Sequence, residues 1–142
     1  MPCGDELSKV VEAFQRGGGR GKPMFLQAQT SYADTDRAAE QAAFDQWRPN
    51  VLPPTVLTEI ADPERFDRAA ASLKPDDLKG SIRISSDVEQ HIAWLNQDIE
   101  LGFDAIFLHQ VGRDQKTFLE VFGERVLPRI RQQRTARTPF QV

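Results

Sequence analysis

The chain has 142 residues, 39% of them hydrophobic, a length that suits one compact domain. Its 21 acidic and 18 basic residues give a net charge of -3, which removes the electrostatic case for nucleic acid or an anionic membrane as the main partner. A single cysteine, Cys3, excludes an internal disulfide, no Cys/His cluster has zinc spacing, and no apolar run comes near the ~18 residues of a membrane helix.

The start, Met1-Pro2-Cys3-Gly4-Asp5-Glu6, has neither the basic region nor the apolar stretch of a signal peptide. With the cysteine usage it predicts a reducing, cytoplasmic setting. Leu7, Val10, Val11 and Phe14 then fall on one face of a first helix, which Gly17-Gly18-Gly19 ends. Met24 to Tyr32 alternates as a strand, with Met24, Leu26 and Ala28 on one face and Phe25, Gln27, Gln29 and Ser31 on the other. Asp34 or Thr35 caps a second helix that runs through Trp47, with Ala39 and Ala43 in line.

Residues 48–80 are punctuated by Pro49, Pro53, Pro54, Pro63 and Pro75 and read as an irregular insertion holding one short helix, Pro63 through Ser72. Ser81 to Ser85 alternates as a short strand. Ser86-Asp87-Val88-Glu89 reads as a capping box for a helix with Val88, Ile92, Leu95 and Ile99 on its stripe, and Gly102 closes it. Ala105-Ile106-Phe107-Leu108 has the continuous apolarity of a strand buried on both faces. A last helix follows Asp114, carries Phe118, Phe122 and Val126, and is expected to end near Pro128. Residues 129–142 hold Arg129, Arg131, Arg134 and Arg137 with no acid, and read as a frayed basic tail.

Strands separated by helices predict an α/β fold with parallel pairing, and in such folds ligands sit at the C-terminal ends of the strands. The candidates there are Gln27, Gln29 and Ser31 on the first strand, Ser81, Arg83 and Ser85 on the second, and Phe107 and His109, followed by Gln110, on the third. Each has a plain structural alternative: the glutamines as polar filling, Arg83 as the partner of an acid, His109 as a packing or capping ring. A histidine just past an apolar strand also suits hydrogen bonding to a ligand, phosphate binding or proton transfer near neutral pH. His91, in mid-helix beside a polar face, reads as a surface residue, and Trp47 and Trp94 as packing residues. The sequence has no Walker loop, no dinucleotide-binding glycine fingerprint after a strand, no nucleophile elbow and no metal motif.

Several stretches in order carry a resemblance: residues 21–27 (Gly-Lys-Pro-Met-Phe-Leu-Gln), Ser31-Tyr32-Ala33, and Ala43 to Arg48 (Ala-Phe-Asp-Gln-Trp-Arg). They continue with Ser85-Ser86-Asp87, Leu101-Gly102-Phe103-Asp104, His109-Gln110-Val111-Gly112 with Gln115 and Phe118, and Phe122 to Pro128. Together the chain resembles the C-terminal region of the deazaflavin-dependent, glucose-6-phosphate-dehydrogenase-like group of the luciferase-like monooxygenase superfamily. The resemblance implies the C-terminal part of a (β/α)8 TIM barrel, about strands six to eight with their helices over residues 1–128, with 48–80 as an insertion between helix six and strand seven. It implies hydride transfer between coenzyme F-420, or FMN in sister groups, and a small organic substrate. It also implies that His109, Gln29, Arg83, Gln110 and Ser31 are the substrate- or cofactor-binding candidates this chain retains.

Members that use a sugar phosphate have an arginine where this chain has Ser81 and a lysine in the insertion, where residues 49–59 hold no basic residue. Sugar-phosphate specificity is therefore not carried over. A whole barrel needs about 250 residues, so the same reading expects a chain that is incomplete as a barrel and inactive alone; the alternative is a non-catalytic remnant, a binding or oligomerisation module of the same fold. Three strands leave open edges, which predicts a homo-oligomer or pairing with a separate N-terminal half. Sedimentation of the purified chain at micromolar concentration is expected to show an assembly larger than a monomer.

Overall fold

The computed structural model describes residues 5–130. Helix α1 (Asp5–Phe14) buries Leu7 and Val11 but leaves Val10 and Phe14 exposed, so only half of its apolar face is covered. It passes into a wider π-helical turn, Gln15–Gly19, which Gly18 ends with a positive φ of 95°, a backbone region glycine enters without strain. Strand β1 (Phe25–Ser31) alternates as its sequence requires: Leu26 and Ala28 are buried, Phe25 and Gln27 exposed. Helix α2 (Asp36–Trp47) is capped by Thr35, whose hydroxyl accepts from the Ala38 N–H, and buries Ala39 and Ala43.

The irregular stretch holds more helix than its prolines suggest. Arg48–Val51 is a 3-10 turn, α3 (Pro54–Glu59) and α4 (Pro63–Ala69) are short helices, and Pro75–Leu78 is a second 3-10 turn. Pro54 and Pro63 each stand in a first helical turn, where the missing N–H has no helical partner to lose. Asp62 caps α4, and the helix stops at Ala69 instead of reaching Ser72.

The second strand, expected over Ser81–Ser85, is reduced to β2 (Arg83–Ile84). Helix α5 (Val88–Glu100) starts one residue later than the expected capping box: Asp87, not Ser86, accepts from the Glu89 N–H. Ser86 instead donates its backbone N–H and its hydroxyl to Asp36 of α2, at 2.7 and 2.9 Å, and Glu89 pairs with Arg129. Both side chains of the expected box are thus taken by tertiary partners. Gly102 closes α5 with φ 88°. Strand β3 (Ala105–Gln110) is followed by α6 (Gln115–Val121), capped by Asp114. A π-turn, Phe122–Val126, then bonds the Leu127 N–H to the Phe122 carbonyl, and the helix runs past Pro128 to residue 130 instead of ending there. The widened turn precedes a proline that has no N–H to give. Of the basic tail, the residues beyond 130 lie outside the described part of the chain.

All three strands are parallel, in the order β2-β1-β3. Three consecutive barrel strands would lie in chain order with the second in the middle. The observed order puts the first in the middle, which corrects the reading of these strands as strands six, seven and eight. β1 pairs with β3 over six residues, Phe25↔Ala105 to Thr30↔Gln110, whereas β2 meets only Thr30 and Ser31. The structural sheet is therefore the β1–β3 pair, and β2 is a brief return of the excursion to one end of β1.

Helices cover one side of that pair. Leu7 packs with Leu26 and Ala28, backed by Ile106 and Leu108. Val88, Ile92 and Leu95 of α5 join Tyr32, Phe118, Phe122, Val126 and Ile130 in the largest core cluster. On the other side only the C-terminal strand ends are covered, where Ala43 and Trp47 of α2 pack with Ile82, Ile84 and Val111. The rest stays open, so β3 is not buried on both faces: Phe25 and Phe107 are each 60% exposed, their rings 6.5 Å apart. No helix among the described residues is long and apolar enough to cross a membrane.

Arg83 and Asp98 form a two-pronged ion pair between β2 and α5, with side chains 8% and 2% exposed and Nη2–Oδ1 at 2.6 Å. Removing one member leaves an unpaired charge in the core, which costs about 3–5 kcal/mol. Asp98→Ala is expected to lower the urea unfolding free energy by about that much, and a loss below ~1 kcal/mol would show that water reaches the pair.

Candidate functional site

Period-two alternation and the register of β1 and β3 decide which side chains share a space. Gln29 lies directly opposite His109, and Gln27 opposite Phe107, all on the open side. The site therefore has two parts. Toward the strand starts it is an aromatic patch, Phe25 and Phe107; toward the strand ends it is polar, Gln27, Gln29 and His109.

His109 sits where the open face meets α2. Its ring packs nearly perpendicular to that of Trp47, centroids 4.9 Å apart at 82°. The residue is half-buried, and its Nδ1 is fully covered with no hydrogen-bond partner among the described residues. Trp47 thus packs, as its helical spacing suggests, but what it packs against is the candidate site histidine. Beside the strand ends, α2 and the loop after β3 enclose a groove of about 590 Å³ lined by Gln41, Asp45, Gln46, Arg113 and Asp114.

The other three candidates lie elsewhere. The Ser31 hydroxyl donates to the Ala39 carbonyl at 2.7 Å and is fully buried under α2. Gln110 is 4% exposed, and its amide clamps the backbone of Tyr32, accepting from the N–H at 3.0 Å and donating to the carbonyl at 2.9 Å. Arg83 is paired in register with Thr30, so it shares the helix-covered side with Leu26 and Ala28 and meets Asp98 there. Of the candidates the sequence places together at the strand ends, Gln29 and His109 are brought together, and Arg83 is on the opposite side, which corrects its grouping with them. A one-residue change in where β2 joins the sheet turns every side chain over, and the sequence of so short a strand does not fix that junction.

His91 is also corrected, from surface to core. It is 2% exposed, with Nε2 2.9 Å from the Ser85 carbonyl and Nδ1 3.2 Å from the Thr30 hydroxyl. Tyr32, Trp94 and Phe122 surround the ring at centroid distances of 5.1–5.9 Å. A neutral imidazole with its proton on Nε2 satisfies the carbonyl and leaves Nδ1 as an acceptor beside the threonine hydroxyl, whose one proton is shared with the Arg83 carbonyl, also 3.2 Å away. Burial pushes its pKa below the ordinary 6.5; the Ser85 carbonyl opposes that and the nearby Arg83 charge adds to it. The helical period carried the signal, since His91 is one residue from Ile92 and three from Val88.

Parallel strands, helices on one side and an aromatic–amide face on the other define a piece of an α/β domain of the kind that binds ligands beside its strand ends. No family model matches the chain. Among curated proteins it is similar to an F420-dependent glucose-6-phosphate dehydrogenase of Microbacterium testaceum (strain StLB037), at 31% identity over 107 residues, 75% of this chain and 31% of that protein. F420-dependent glucose-6-phosphate dehydrogenase 2 of Rhodococcus jostii (strain RHA1) is 32% identical over 75% of this chain and 31% of its own length. The corresponding protein of Mycolicibacterium fortuitum is 28% identical over 90% of this chain and 40% of its own. The fold matches part of an F420-dependent secondary alcohol dehydrogenase in complex with an F420-acetone adduct, with TM-score 0.67 and 19% identity, over 86% of this chain and 37% of that one. The chain is thus a homologue of the F420-dependent glucose-6-phosphate dehydrogenases, the deazaflavin-dependent group its motifs resemble, and spans about a third of their length.

The folded His91 takes a proton less readily than the unfolded one, so acid favours the unfolded chain. The thermal midpoint is expected to hold above about pH 6.5 and to fall as pH drops below it. His91→Gln is expected to flatten that acid limb. A slope unchanged by the substitution would mean that His91 is already protonated in the folded chain.

Proposed function

We propose that the chain is part of a (β/α)8-barrel oxidoreductase that transfers a hydride between a deazaflavin, coenzyme F-420, and a small organic substrate. In this reading β1 and β3 are adjacent barrel strands, α5 is the helix outside them, and the open side is the barrel interior. The single observation that carries it is the register that sets Gln29 against His109 on the side that the helices leave open except at its strand ends. Support for the cofactor comes from relatives whose names specify F420; FMN is the alternative. The residues fit one wall of a pocket for a flat heteroaromatic ring: Phe25 and Phe107 supply apolar area, and Gln27, Gln29 and His109 supply hydrogen bonds. A deazaflavin, when bound, supplies the hydride chemistry. This chain's residues hold and orient cofactor or substrate, and the chain alone is inactive because one wall does not exclude water.

A second reading is an assembly module, and the exposed phenylalanines favour it. Full burial of a large apolar side chain is worth about 1.5–3 kcal/mol, so two rings that are each 60% exposed leave a sizeable gain for whatever covers them. A second copy, or a separate chain that supplies the remaining strands, would take that gain. In this reading, assembly and cofactor binding are coupled.

Titration of the purified chain with coenzyme F-420 and with FMN, followed by fluorescence, tests the proposal. Saturable binding that His109→Ala or Gln29→Ala weakens about tenfold, ~1.4 kcal/mol, is the expected result. Binding that neither substitution changes would remove the open face from the pocket. No binding to either cofactor, in a sample that sediments as an assembly, would leave the module reading.

A further inference from the structure

Deepening that reading and resting on it, we propose that Trp47 is a positioning residue that holds His109 as the tautomer with its proton on Nε2. His109 then acts toward a ligand as a hydrogen-bond donor, and the group it meets is an uncharged oxygen acceptor such as a carbonyl.

The covered nitrogen carries the argument. Nδ1 of His109 is buried with no partner among the described residues, while the residue as a whole is half-exposed, so the edge left to the open face is the one with Nε2. A proton on Nδ1 would be a buried N–H with nothing to bond, a situation folded proteins rarely tolerate. A proton on Nε2 reaches the open face and leaves only a lone pair covered. The first arrangement forfeits the bond of a strong donor, the second that of an acceptor, and the second is the smaller loss.

Trp47 is what makes the choice. Its ring stands nearly perpendicular to the imidazole with centroids 4.9 Å apart, its cluster neighbours Ala43, Ile82, Ile84 and Val111 are apolar, and Nδ1 has no hydrogen-bond partner among the described residues. Indole donates through its one N–H and offers a proton on Nδ1 no lone pair, only the weak acceptor of a ring face. Gln29 stands across the register from His109, and its amide offers both a donor and an acceptor. A ligand oxygen between them meets one fixed donor and one group that turns to suit.

The test is a nitrogen-15 spectrum of the two histidine rings in the labelled full chain at about pH 8, above the ordinary histidine range. His109→Gln identifies which ring is which. For His109 the expected spectrum has Nδ1 at the unprotonated position and Nε2 at the protonated one. Trp47→Ala is expected to draw the two signals toward a common average, and Trp47→Phe to restore their separation. A wild-type ring protonated on Nδ1, or one already averaged, overturns the inference, and that spectrum decides even where Trp47→Ala is too unstable to study. An unchanged separation in a folded Trp47→Ala variant overturns the role of Trp47. Failure here with cofactor binding intact leaves the proposed function standing; a fixed Nε2 tautomer without cofactor binding in any assembly removes the proposed function instead.

Discussion

The pairing of β1 with β3 is the constraint from which the rest follows. Six residue pairs in parallel register fix which side chains face the helices and which do not. Parallel strands cannot be joined by a tight turn, so everything from Ala33 to Asp104 is crossover. That length accommodates α2 over the strand ends, the proline-rich excursion, and α5 along the covered side. Once the register is set, Leu26, Ala28, Ile106 and Leu108 become core, and Gln29 and His109 become neighbours.

The covered side is not purely apolar at its C-terminal end. Arg83, Asp98, Thr30, His91 and Ser85 are buried there in one connected set. An apolar substitute for such a set is often as stable, so its value lies in direction as much as in strength. The guanidinium donates in parallel to a carboxylate lying in a matching plane, and the imidazole donates to the Ser85 carbonyl while its other nitrogen faces the Thr30 hydroxyl. These bonds specify where the excursion rejoins the sheet, a point that two residues of strand pairing leave weakly defined.

The open side carries the opposite balance. Polar groups there meet solvent, and two phenylalanines lie exposed beside them. In a protein of this size such a face marks a surface that another element, chain or ligand covers. The relatives are consistent with all three, since this chain spans about a third of their length and their names specify a cofactor. Trp47 reaches from the covered strand ends to this face, where its ring packs nearly perpendicular to that of His109.

Much of this was legible in the residues. Period two in Met24–Tyr32 separated the Leu26/Ala28 side from the Gln29 side, Thr35 and Asp114 marked helix starts, and Gly102 marked an end, because these signals are local. The resemblance to a deazaflavin-dependent group was legible too, from motifs spread along the chain. Strand order, the side that Arg83 takes, the burial of His91 and the loss of Ser86 to Asp36 were not. Each depends on a partner far away in sequence: Asp98 for Arg83, Thr30 for His91, α2 for Ser86. The sequence determined the elements and the alternation within them, since backbone period and capping act over a few residues. Only the tertiary structure decided the register, and with it that His109 meets Gln29 across an open face with Trp47 at its back.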